Sequence, residues 1–160
     1  LATTANPGSS KLASAPWLRP DLSGLAILDF AQLEDLRGLP ANSGGDPSEK
    51  TLIALFQEKS RERLRSMASC LVDSNWLHLG DLAHSLRGSS ASIGFPRVAA
   101  ACKALELAAR QLSPKPNVPP TVANDPLPTQ GQMDELYEDI MRYFYEADIA
   151  LAKWLAEVSE

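Results

Sequence analysis

Aromatic residues make up only 6% of the chain, and cysteine and histidine occur just twice each in 160 residues. A core so poor in rings has to be built from Leu, Ala, Ile and Val, and a hydrophobic fraction of 44% supplies enough of them for one domain. Two cysteines exclude a disulfide framework. Cys70 and Cys102 fall at apolar positions of predicted helices and read as buried free thiols. No apolar run approaches the roughly 20 residues that span a bilayer. The N-terminus lacks the basic stretch and apolar block of a secretory signal. A formal charge of −5 argues against nucleic acid, whose phosphates need a basic face. There is no P-loop, no Gly-rich nucleotide motif and no acidic cluster for Mg²⁺. These absences predict a cytoplasmic domain without a cofactor or metal of its own.

What is present is helical periodicity. Residues 1–23, rich in Ala, Ser, Thr, Gly and Pro, read as a flexible linker or tail from which Trp17 and Leu18 can fold back. With Leu1 at the start, this looks like a piece excised from a longer polypeptide. The domain is placed at residues 24–160. Leu25, Leu28, Leu33 and Leu36 predict a short helix over 24–37, and Leu39 to Pro47 breaks it. Asp46, Pro47 and Glu49 form a capping-box start for a second helix running to about Asp73. Further helices are predicted over 76–93, 97–112 and 132–158, separated by Ser74-Asn75, by Gly94-Phe95-Pro96 and by a long loop over 113–131 that holds six of the 12 prolines. No segment alternates as a strand does. The expected fold is all-α: an antiparallel up-down-up-down four-helix bundle with a short additional N-terminal helix.

One of these helices carries a residue placed for chemistry. At about 100° per residue, Leu82, Ile93, Leu86 and Leu79 lie between roughly 160° and 220° from His84, so the imidazole faces away from the core. Ser90 falls beside the apolar stripe, where its hydroxyl can bond a carbonyl one turn back. Gly80 and Gly88 stand one turn either side of His84, each costing about 1 kcal/mol relative to alanine inside a helix, and together they clear an approach to the ring. Arg87 can reach an anion attached to it. Leu77, Asp81 and Ala91 complete a surface for a partner. His78 lies on another face, and the two histidines lack the spacing of helical metal ligands.

The string Ala83-His84-Ser85-Leu86-Arg87-Gly88-Ser89-Ser90, then Ile93-Gly94 and Cys102-Lys103-Ala104-Leu105-Glu106, resembles the histidine-containing phosphotransfer (HPt) domain. The lysine usual after H-x-L is Arg87 here, which keeps the charge but replaces an ammonium with a planar guanidinium. The 113–131 loop is longer than most such connections. The resemblance implies a phosphorelay intermediate of two-component signalling, of the kind found in bacterial hybrid sensor histidine kinases, including membrane-anchored ones. His84 would accept a phosphoryl group from one response-regulator receiver domain and pass it to another. Arg87 would meet the phosphoryl oxygens, Gly88 would give clearance, and Ser89, Ser90 and Lys103 would support the site. The receiver would bring Mg²⁺, and the domain, monomeric, would have no kinase activity of its own. Two other readings stand beside this one: a non-catalytic adaptor that binds a signalling protein through the same helix face, and an enzyme with His84 as general base, for which Asp81 is the nearby carboxylate.

Overall fold

The computed structural model describes residues 15, 17–38, 49–113 and 126–158. Among them every regular element is a helix: α1 Phe30–Arg37, α2 Glu49–Asp73, α3 Trp76–Ile93, α4 Pro96–Leu112 and α5 Gln130–Val158. The described residues are all-α, their helices packed into a bundle in which α3 and α4 make the most extensive contact. No helix among the described residues is long and apolar enough to cross a membrane.

The helix boundaries follow local chemistry. The α3 helix begins where the Asn75 side chain accepts from the His78 amide at 3.3 Å, an N-cap. It ends at Gly94, whose φ of 92° is left-handed. A side chain there would be strained and would also meet the Asp29 carbonyl at 3.0 Å, so only glycine suits the position. The Phe95 amide then bonds the Ser90 carbonyl at 2.8 Å and turns the chain into Pro96, the first residue of α4. Thr129 and Gln132 exchange amide and side-chain hydrogen bonds of 3.2 and 2.8 Å, a capping box that starts α5 two residues before the expected Gln132. The expected capping box at Asp46, and residues 114–125 of the Pro-rich loop, lie outside the described residues.

Each helix buries one stripe. Phe56 of α2, Phe95 at the α3–α4 turn and Phe144 of α5 meet with ring centroids 5.1, 6.0 and 6.3 Å apart and lock the three elements together. Around them pack Met67, Leu79, Leu86, Val98, Leu105, Ile140 and Leu151. Cys70 and Cys102 are buried free thiols, and burial raises both, Cys102 far above the ordinary thiol range. The buried face of α3 is centred on Ala83, Leu86 and Ser90, while Leu82 is only half-buried. Small residues, rather than the leucine stripe alone, set how closely α3 lies against its neighbours.

The chain before α2 departs from expectation. The short helix starts at Phe30, not Gly24, because the Asp29 side chain caps it by accepting from the Gln32 amide at 3.1 Å. The final part of the expected tail is packed: Ala15, Trp17 and Leu22 are buried, and Trp17 is only 1% exposed. Arg19 makes a two-pronged pair with the Asp139 carboxylate of α5, both distances 2.8 Å. Arg97 Nε reaches back to the Leu25 carbonyl at 2.8 Å. Trp17→Ala should therefore lower the stability of the whole domain by about 3–5 kcal/mol, measured as a shift of the urea midpoint. An unchanged midpoint would show that this segment only rests on the surface.

Candidate functional site

The site forms where the outer edge of α3 meets α4. His84 projects from the middle of α3 with 65% of its side chain exposed. Its Nδ1 lies 2.9 Å from Oε1 of Glu106, on the neighbouring helix. Glu106 is only 5% exposed. Burial alone would raise its pKa, but hydrogen bonds and charges from Arg110 and His84 outweigh that cost and hold the carboxyl below the ordinary range. Arg110, one turn later on α4, donates from Nε to Oε1 at 3.1 Å and again from Nη2. Arg87 of α3 donates from Nη1 to Oε2 at 3.2 Å. One buried carboxylate thus gathers the imidazole and two guanidinium groups.

The proton on the imidazole follows from this arrangement. An ionised carboxylate can only accept, so Nδ1 must carry the hydrogen. In a neutral ring the lone pair is then on Nε2, the nitrogen farther from the backbone. A mostly exposed ring with its far nitrogen unprotonated is a nucleophile that another protein can reach.

A family model described as "Hpt domain" matches residues 51–143, more than half of the chain. The chain belongs to the Hpt domain family. No curated protein matches it closely enough to count as a relative.

The other residues singled out in the sequence divide within this Hpt domain. Gly88 is exposed, and a Cβ built on it would meet nothing within 4 Å, so no packing among the described residues calls for glycine there. Gly80 is different. It is buried, with a Cβ position 3.5 Å from Ala109 Cβ and 4.0 Å from Arg110 Cγ, so it lies in the α3–α4 contact and not on the open face expected of it. Leu77, Ala91 and Lys103 are exposed, and Asp81 is half-buried. The Ser89 hydroxyl donates to the Ser85 carbonyl at 3.1 Å and accepts from Arg63 Nη1 at 3.3 Å, which ties α2 to the site helix. Ser90 is fully buried, and its hydroxyl has no hydrogen-bond partner among the described residues, contrary to the expected bond to a carbonyl one turn back.

Two residues of the site were missed by the sequence reading. The carboxylate on the imidazole is Glu106, where Asp81 had been the nearby candidate. Glu106 stood in the quoted motif, but nothing in one sequence says which face of α4 meets α3. Arg110 carried no signal beyond lying four residues after Glu106, the spacing of a helical ion pair.

The lowered pKa of Glu106 has a stability consequence. Its contribution is fully present above the ordinary glutamate value of about 4.3 and is lost as pH falls through the lower folded-state value. Urea midpoints followed from about pH 7 to about pH 3 should fall more steeply for the native protein than for Glu106→Gln. Parallel curves would show that no proton uptake at Glu106 is linked to unfolding.

Proposed function

We propose that this Hpt domain is a phosphorelay intermediate, with His84 Nε2 as the phosphoacceptor. The observation that carries the reading is the bond from His84 Nδ1 to the buried Glu106 carboxylate, because it leaves Nε2 unprotonated on an exposed helix face. The donor is an aspartyl phosphate on a response-regulator receiver domain. The Nε2 lone pair attacks phosphorus, the Nε2–P bond forms as the aspartyl O–P bond breaks, and the aspartate carboxylate leaves with the electron pair. The ring then carries Nδ1–H and a phosphoryl group, and so a positive charge. Glu106 balances that charge from 2.9 Å away. Transfer onward to the aspartate of a second receiver runs the same step in reverse. We assign the Mg²⁺ that assists transfer to the receiver and expect no kinase activity from this chain alone.

The remaining roles follow from placement. Arg87 is partly exposed beside the ring and can turn from Glu106 to the phosphoryl oxygens. Gly88 leaves open surface one turn beyond His84, where the receiver's active site has to approach. Leu77, Asp81 and Ala91 border the docking face, and Lys103 adds positive charge to it. Ser89 holds Arg63 against the site helix and is a supporting residue. The family's architecture, together with the short links Ser74-Asn75 and Gly94-Phe95, supports an antiparallel up-down-up-down arrangement of α2 to α5.

Incubation with a phosphorylated receiver should place an acid-labile, base-stable phosphate on the native protein and none on His84→Gln. Label that persists in His84→Gln would sink the assignment, and failure of transfer from every receiver of the source organism would favour an adaptor. Gly88 gives a two-sided check. Gly88→Ala should stabilise the domain by about 0.5–1 kcal/mol, whereas Gly88→Gln should keep native helicity and slow transfer at least about tenfold by obstructing the partner. Loss of helicity in Gly88→Gln would show instead that the glycine serves the fold.

A further inference from the structure

The Glu106 carboxylate is over-supplied with cations for the task of aiming one imidazole. Oε2 takes Arg87, while Oε1 is shared between His84 and Arg110. The two arginines are not equivalent. Arg87 is 42% exposed and meets Glu106 through a single 3.2 Å contact, which suits a group that must leave it for the phosphoryl oxygens. Arg110 is 22% exposed, holds Oε1 through both Nε and Nη2, and comes from the same helix one turn away.

We propose that Arg110 is a positioning residue which, through Glu106, keeps the single proton of His84 on Nδ1 and the lone pair on Nε2. The inference rests on the phosphoacceptor reading of His84, and its reason lies in what an unguarded carboxylate would do. A buried Glu106 without Arg110 has two outcomes open to it. It can take up a proton and become the donor to Nδ1, which moves the ring hydrogen to Nε2. Or it can stay ionised and draw a second proton onto the ring, giving an imidazolium. Both end with Nε2 protonated and no longer nucleophilic. Arg110 neutralises the carboxylate without touching the ring, so Glu106 accepts the Nδ1 hydrogen and nothing more. Among the described residues, Asp81 and Arg87 flank His84 in sequence on its own helix, Lys103 lies three residues before Glu106 on α4, and Arg63 reaches the site helix from α2 through Ser89. Of these, Arg87 bonds the other oxygen of the carboxylate, Oε2, and not the one that His84 shares with Arg110.

The test reads the proton directly. In protein labelled with ¹⁵N at histidine, the native His84 should show an unprotonated Nε2 and a protonated Nδ1 at neutral pH. In Arg110→Met the Nε2 signal should move to the range of a protonated nitrogen, and Arg110→Lys, which keeps the charge, should restore much of the native pattern. Phosphoramidate serves as a donor that needs no receiver: Nε2 attacks phosphorus, the P–N bond breaks and ammonia leaves. His84 labelling by this probe should slow by roughly three- to tenfold in Arg110→Met, as expected for the loss of one hydrogen-bonded charge, with circular dichroism unchanged. An Nε2 that stays unprotonated in a folded Arg110→Met overturns the proposal. If native His84 accepts no phosphate from either phosphoramidate or a receiver, the phosphoacceptor reading fails, and the nitrogen spectra still decide whether Arg110 sets the proton.

Discussion

The site depends on one buried carboxylate. Glu106 sits in the α3–α4 contact, where an unpaired charge would be strongly unfavourable, and it is kept ionised by three donors drawn from both helices. The small residues in that contact let it happen. Gly80 brings the backbone of α3 against Ala109, and Ala83 and Ser90 hold the buried face of α3 close to its neighbours. The resulting approach puts Glu106 within reach of a ring that otherwise faces solvent. A fold made of plain amphipathic helices thereby sets a buried carboxylate 2.9 Å from an exposed imidazole.

Much of this was legible in the sequence, and the parts that were not share a cause. Helix periodicity and the breakers at Ser74-Asn75 and Gly94-Phe95 defined α2, α3 and α4 to within a few residues, because period and punctuation are local. The outward aim of His84 was also local, a matter of helical geometry. Glu106 and Arg110 were not found, because their roles depend on the rotation of one helix about its axis relative to another. The two glycines flanking His84 look alike in a helical projection. Only the packed structure separates Gly80, which faces Ala109, from Gly88, which has no described atom within 4 Å of a built Cβ.

The chain before the matched segment carries a similar lesson. A composition of Ala, Ser, Thr and Pro reads as tail, but Trp17 is an aromatic in a chain with few, and it is buried. Arg19 fastens the same stretch to Asp139 on α5. Asp29, Gln32 and Leu25 then meet the Gly94 turn and Arg97, so this segment braces the end of the helix that carries His84. The packed unit is larger than residues 51–143, and its extra part supports the start of α4 rather than the face that carries His84.

The central claim is that Glu106 aims His84 so that phosphate is taken up on the nitrogen farther from the backbone. The most direct measurement is the coupling between phosphorus and each imidazole nitrogen in ¹⁵N-labelled protein phosphorylated by a receiver. Phosphorus coupled to Nε2 of His84, with Nδ1 still bearing its hydrogen, is the expected result. Phosphorus coupled to Nδ1 would contradict the account, since that nitrogen would have to give up its bond to Glu106.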